Sequence, residues 1–262
     1  MANQNGQKNL IIEEEAGLVT LTMNRPEKRN ALSTAMMTEL NDALVAIGKR
    51  GDARAVIVAG NGPAFSAGHD LGELKGRDLA FYRNEFDLCA QLMLTIQRIP
   101  QPVIARVHAI ATAAGCQLAA TCDLVVASES ASFATPGVRI GLFCSTPMVA
   151  LTRAVGRKAA MEMLLTGDLI PATRAREIGL VNRVVPDADL AAATQALARQ
   201  IADKSPLTVA IGKEAFYRQA EMDLGDAYAY AAEVMTRNML ARDAAEGIDA
   251  FLGKRAPVWT GT

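Results

Sequence analysis

The order of apolar and polar positions predicts most of the secondary structure. Ile11 and Ile12 lead into Glu13, Glu14 and Glu15, Ala16-Gly17 makes a turn, and Val19, Leu21 and Met23 alternate with threonines, which reads as two short strands within 10–23. Between Ser33, placed as an N-cap, and Gly48 the apolar positions Met36, Leu40, Leu44 and Ile47 recur at helical spacing. An apolar strand, Ala55 to Ala59, precedes a Gly-rich turn. A long helix is predicted from Leu79 to Ile99 with Phe86, Cys89, Met93 and Ile96 on its inner side, and Pro100 and Pro102 end it before a strand, Val103 to Val107. Ala113 to Ala120 reads as helix and Leu124 to Ala127 as buried strand. Alternation of this kind implies parallel strands joined by helical crossovers, hence an α/β architecture. Past Pro186 the pattern changes: Leu190, Ala193, Leu197 and Ile201 open a run of helices that continues to Leu252.

Composition narrows the classes. The chain has 262 residues, 50% apolar and 21% charged, with 27 basic against 28 acidic side chains. That profile sets aside disordered, collagen-like and disulfide-scaffold proteins. A net charge of -1 gives no general attraction to nucleic acid or to an anionic membrane, and no apolar run reaches membrane-spanning length. An anionic ligand must therefore be held by local groups. Cys89, Cys116, Cys122 and Cys144 form no Cys-x-x-Cys, and His69 and His108 are the only histidines, so no metal centre is expected. Met1 to Asn9 lacks the pattern of a signal or transit peptide, and the expected location is the cytoplasm.

Common catalytic motifs are missing. There is no G-x-G-x-x-G after the first strand, no phosphate-binding P-loop and no G-x-S-x-G elbow. Two small-residue turns stand in their place, FSAGHDLGEL at 65–74 and ATAAGCQLAATCDLVVA at 111–127, each after a predicted strand. Turns at the carboxyl ends of parallel strands are where α/β proteins build ligand sites. Two backbone N–H groups from separate turns that converge on one carbonyl oxygen would make an oxyanion hole, although Gly68 and Gly115 could equally serve tight packing alone.

NRPEKRNAL at 24–32, FSAGHDL at 65–71, AAGCQLAATCDLVVA at 113–127, FATPGVRIGLF at 133–143 and EGIDAFLGKRAPVW at 246–259 resemble, in order, the enoyl-CoA hydratase/isomerase family, the crotonase superfamily. The resemblance spans roughly residues 9–259. It implies a crotonase-like spiral of ββα units over 1–190 and an all-helical trimerisation region over 191–262, assembled as a homotrimer or homohexamer. It implies an acyl-CoA thioester as the substrate, with coenzyme A carried as part of it and no tightly bound cofactor. By motif position the two enolate-stabilising amides belong to His69 and Ala114. Coenzyme A contacts carry over to Lys28, Arg29 and Ala31 near the phosphates, and to the backbone of Ser66 and Ala67 near the adenine.

Two departures bear on activity. Hydratases of the family use two glutamates, and here the first position is Gln117 and the second Gly137. A carboxamide cannot exchange a proton near neutral pH, and glycine offers backbone only. A positioned acid or base contributes about 10²–10⁴-fold, so hydration of crotonyl-CoA is expected to be weak. Returning glutamate to both positions is expected to raise it. Cys144 and the imidazole of His69 are the substitutes within the motifs, Cys144 being equally suited to packing. Asp70 and Glu73 read as helix-capping carboxylates, Asp123 as a structural polar residue, and Arg255 and Trp259 as helix-docking residues. The hole could also serve isomerisation, decarboxylation or thioester hydrolysis, or acyl-CoA binding without turnover.

Overall fold

The computed structural model describes residues 9–262; positions 1–8 of the stretch read for a targeting signal lie outside the described residues. A hairpin of β1 (Leu10–Glu15) and β2 (Leu18–Met23) turns over Ala16 and Gly17, both at positive φ. Helix α1 (Thr34–Gly48) starts at Ser33, whose hydroxyl accepts the Met36 N–H. Then come β3 (Ala55–Gly60), β4 (Ala64–Ser66), the short α2 (Leu71–Leu74) and α3 (Leu79–Arg98). The next turn of chain is β5 (Val103–Val107), β6 (Ile110–Thr112) and α4 (Ala114–Thr121), and another is β7 (Leu124–Ser128) and β8 (Ser132–Ala134), followed by α5 (Ser145–Ala154) and α6 (Arg157–Thr166). The spiral closes with β9 (Ile170–Pro171), α7 (Ala172–Glu177) and β10 (Arg183–Val185).

Each ββα turn gives one strand to each of two sheets. The larger has the order β1-β2-β3-β5-β7-β10, parallel except for the β1–β2 hairpin. The smaller has the order β4-β6-β8-β9, parallel except for β8–β9. The unbroken apolar run of β3 follows from burial on both faces. Val56 and Val58 join Met36, Leu40 and Leu44 of α1 and Leu92 and Ile96 of α3 in the main core. Ala55 and Ile57 face the other way, onto Leu190, Leu197 and Ala198 of α8 (Leu190–Ala202). The first helix of the carboxyl-terminal run therefore covers the sheet.

The remaining helices, α9 (Pro206–Gln219), α10 (Leu224–Met239) and α11 (Arg242–Leu252), leave the sheet. A buried ionic knot anchors α9: Lys213 Nζ donates to the carbonyls of Ile96 and Gln101 and pairs with Asp123 at 2.7 Å. The Tyr217 hydroxyl donates to the other Asp123 oxygen, and the Val103 N–H donates to Asp123 as well. Asp123 is thus the structural residue expected. Trp259 Nε1 donates to the Asp203 carbonyl and Arg255 pairs with Glu246, tying the chain end to α8–α11. No residue of α10 is buried, and Leu224, Tyr228, Met235, Leu240, Phe251 and Leu252 are exposed along α10 and α11.

One helix face differs from its prediction. In α3 the inner residues are Glu85, Cys89, Leu92, Met93, Thr95 and Ile96, whereas Phe86 is exposed. The helix packs against α1, α4 and α9, which keeps Cys89, Met93 and Ile96 inside as expected and brings Glu85 rather than Phe86 indoors at the first turns. Among the described residues no helix is long and apolar enough to cross a membrane.

Candidate active site

The site begins with the segment at 24–32. Pro26–Lys28 forms a single 3-10 turn, and Arg29 and Asn30 follow at positive φ. Asn30 makes this bend tenable. Its fully buried side chain accepts the Arg25 N–H and donates to the carbonyls of Asn61 and Ala64. The bend is then stitched to β4: Ala67 N–H donates to the Arg29 carbonyl, Ser66 Oγ to the Asn30 carbonyl, and Leu32 N–H to the Gly68 carbonyl. These bonds set Ala67 against Arg29 and Ser66 against Asn30, with Lys28 and Ala31 joined in the same bend through the Ala31 N–H and the Lys28 carbonyl. Lys28 and Arg29 are exposed, Ala67 is half-buried, and Ser66 is fully buried, its hydroxyl also accepting the Gly68 N–H. Ser66 therefore builds the frame, while the two cations and the Ala67 backbone are the accessible parts.

The two small-residue turns meet at Gly68. At φ +90 it has no room for a side chain: a Cβ there would stand 2.8 Å from the Ala113 Cβ and 3.2 Å from the Ala114 nitrogen. Gly115 is equally tight, since a Cβ would approach the Ser66 carbonyl oxygen to 2.3 Å. Both glycines are there for close approach of backbones. The neighbouring amides are spent: Gly68 N–H on Ser66 Oγ, Asp70 N–H on the Leu32 carbonyl, and Ala113 N–H on the Ala134 carbonyl. Among the described residues no group accepts from the His69 N–H. The first turn of α4 leaves the N–H groups of Ala114, Gly115 and Cys116 without a carbonyl, as helix starts do, and Ala114 is the one beside Gly68. Ala113 holds this turn at φ 51, ψ -120, a region that costs a residue with a Cβ about 1–3 kcal/mol.

Gln117 lies one turn along α4 and is buried; its carbonyl oxygen faces the Cys89 thiol at 3.8 Å. Gly137 is buried in a 3-10 turn, Pro136–Ile140, and its N–H donates to Cys144 Sγ at 3.3 Å. A Cβ at 137 would stand 2.7 Å from the Leu142 carbonyl oxygen and 2.9 Å from Cys144 Sγ. The loop 142–144 thus occupies the space a side chain at 137 would need, and the expected gain from restoring glutamate there has no room. Burial pushes the Cys144 thiol above its ordinary value, and those of Cys89 and Cys116 up to about 12, which disfavours a thiolate nucleophile.

His69 and Glu85 form a largely buried titratable pair at the first of these amides. The His69 ring is enclosed, edge-on to Phe86 with centroids 5.5 Å apart, and neither nitrogen has a hydrogen-bond partner. Its Nδ1 stands 4.0 Å from Glu85 Oε1. Burial lowers the imidazole below the ordinary histidine value, offset in part by the Leu32 carbonyl. Glu85 accepts from the Thr34 hydroxyl at 2.7 Å, and burial lifts its carboxyl above the usual range, with Glu73 adding repulsion. Asp70 caps α2 through the Gly72 N–H and pairs with Arg25; Glu73 accepts the Thr34 N–H. Sequence reasoning missed Glu85, whose only signal is a charge at a helical position flanked by apolar ones. A cavity of about 380 Å³ touches Thr34 and Glu73 but not Glu85, and the others described lie elsewhere, one of about 200 Å³ between α6 and α7. Among the described residues no group of three or more His, Cys, Asp or Glu is placed to hold a metal ion.

Compared with known protein families, residues 13–262 match enoyl-CoA hydratase/isomerase. The chain belongs to that family. It is similar to human enoyl-CoA hydratase domain-containing protein 3, mitochondrial, at 48% identity over 93% of this chain and 81% of that protein. It is also similar to 2,3-dehydroadipyl-CoA hydratase of Escherichia coli K12, at 37% identity over 96% of this chain and 98% of that one. The crystal structure of a Mycobacterium smegmatis enoyl-CoA hydratase superposes with a TM-score of 0.95 at 50% identity, over 97% of this chain and 99% of that one. The spiral crotonase fold implied by the sequence is therefore the fold of this enoyl-CoA hydratase/isomerase family member. The cytoplasmic expectation does not stand: the human relative and its rat and mouse counterparts are named as mitochondrial proteins.

Proposed function

We propose that this family member binds acyl-CoA thioesters and polarises the thioester carbonyl between the N–H groups of His69 and Ala114. The observation that carries the reading is that pair of amides. The amides of Gly68, Asp70 and Ala113 are taken, Ala114 is the free amide at the start of α4 that stands beside Gly68, and Gly68 and Gly115 bring the two turns together. A donor in such a hole supplies about 3–4 kcal/mol of transition-state stabilisation, enough to make an enolate accessible. Lys28 and Arg29 meet the coenzyme A phosphates, since a nearly neutral chain must gather positive charge locally, and Ala67 presents backbone to the adenine. Coenzyme A is part of the substrate, and no other cofactor is invoked. The exposed apolar residues of α10 and α11 suit association of copies through residues 191–262, as a trimer or a pair of trimers.

The reaction is nominally that of an enoyl-CoA hydratase, weakened because Gln117 and Gly137 stand where ionisable groups are needed. Calorimetry with butyryl-CoA and crotonyl-CoA, together with the absorbance loss of crotonyl-CoA, tests this. Both ligands should bind, and hydration should fall at least about a hundredfold below ordinary enzymatic rates. Failure of both to bind, or rapid hydration, contradicts the proposal.

A further inference from the structure

We propose that His69 is a one-base proton shuttle at the α carbon of the bound thioester, with Glu85 behind it as positioning residue. The inference rests on the acyl-CoA reading of the same site and deepens it. Its basis is a closed ring of contacts. Gly68 abuts the Ala114 nitrogen, and Gln117 lies one turn further along α4. Its carboxamide faces the Cys89 thiol at 3.8 Å, Glu85 lies one turn before Cys89 on α3, and Glu85 stands 4.0 Å from His69 Nδ1. The ring returns through the His69 backbone to Gly68. Within it, neither nitrogen of an enclosed imidazole makes a hydrogen bond among the described residues, which leaves a buried polar group unsatisfied. On the acyl-CoA reading the same residue offers its N–H to the thioester oxygen, which puts the α carbon within reach of a side chain of this length once Phe86 moves aside. The ring lies edge-on to Phe86, which is itself exposed, and on this inference displacement of Phe86 opens Nε2 to the acyl chain.

Burial keeps the ring neutral, the form that accepts a proton. Nε2 takes a proton from Cα, and the C–H electron pair passes to the thioester oxygen held by the two amides. The imidazolium formed is neutralised by Glu85, exchanges its Nε2 proton with solvent while Phe86 is displaced, and delivers a proton to Cα, or to Cγ when a β,γ double bond is present. No atom is gained or lost and no co-reactant is needed. One shuttle suffices for this 1,3 shift, whereas hydration needs separate groups for water and for Cα. The substrate class is therefore a thioester that still carries an acidic α hydrogen, saturated or β,γ-unsaturated, in preference to an α,β-enoyl one.

The test incubates the full chain with butyryl-CoA in D2O and reads deuterium at Cα by mass spectrometry, with calorimetric binding measured alongside. The wild type should catalyse exchange. His69→Gln, which keeps the backbone amide, should lose at least about 10²-fold of it while butyryl-CoA still binds. Glu85→Gln should retain binding, slow exchange about tenfold, and move the acidic limb of the pH profile downward, because removing the carboxylate disfavours imidazolium. The other groups facing the pair, Glu73, Cys89 and Thr34, are unchanged in that variant. Binding by the wild type without exchange, or full exchange by a folded His69→Gln, overturns the inference and leaves the acyl-CoA reading standing. Absence of binding overturns the reading itself, and the inference with it.

Discussion

At the scale of the residue, the site is defined by groups held where they are costly. Glu85 is a buried carboxyl whose ionisation burial opposes, and His69 a buried imidazole whose protonation burial opposes. Their contributions to stability have opposite signs. The folded pKa of Glu85 lies above its unfolded value of 4.5, so stability falls as pH rises from 4.5 through the folded value. That of His69 lies below 6.5, so stability falls as pH drops from 6.5 through its folded value. Glu85→Gln is accordingly expected to raise Tm at pH 7, with the gain vanishing near pH 4, because Gln can still accept from Thr34. Thermal melts across that range check it; a lower Tm at pH 7 would mean that the carboxylate contributes more than its burial costs. A gain in stability on losing a site residue is the usual sign of function held against stability. The His69 imidazole was a candidate in the sequence, whereas Glu85 was not legible there. Glu85 and Phe86 are neighbours, and which of them faces inward depends on how α3 rolls against α1 and α4.

At the scale of the element, the long helices and the strands β1, β2, β3, β5 and β7 of the larger sheet were readable because they carry enough turns, alternations or apolar length to show themselves, whereas β10, with three residues, was not. Strands β4, β6 and β8 have three residues each, AFS, IAT and SFA, too few to alternate visibly. They nonetheless form the sheet whose ends present the two turns. The motifs signalled those turns directly, since Gly68 and Gly115 answer to local sterics that sequence records. The loop after Gly137 is different. Its closure over the missing side chain, through Leu142 and Cys144, is a tertiary fact. The expected outcome for Gly137→Glu is a loss of about 1–3 kcal/mol from overpacking, and no gain in crotonyl-CoA hydration even with Gln117→Glu present. Denaturant melts and the hydration assay read both; an unstrained, active double variant would show that the loop yields readily.

At the scale of the whole molecule, a chain of net charge -1 presents Lys28 and Arg29 at one rim of a frame built by Asn30 and Ser66, and a pair of backbone amides beside it. The larger sheet is sealed on one face by α1 and α3 and on the other by α8, which keeps that frame rigid. The Lys213–Asp123–Tyr217 knot then fixes where α9 departs. The fold was thus foreshadowed by sequence, as was the candidacy of His69, whereas the pairing of His69 with Glu85 emerges only from packing. The central claim is that these amides hold a thioester oxygen. A crystal structure of the protein with butyryl-CoA bound tests it most directly. The carbonyl oxygen should lie about 2.7–3.1 Å from both the His69 and the Ala114 nitrogen, with the phosphates near Lys28 and Arg29. A thioester oxygen bound elsewhere, with both amides left to water, would contradict it.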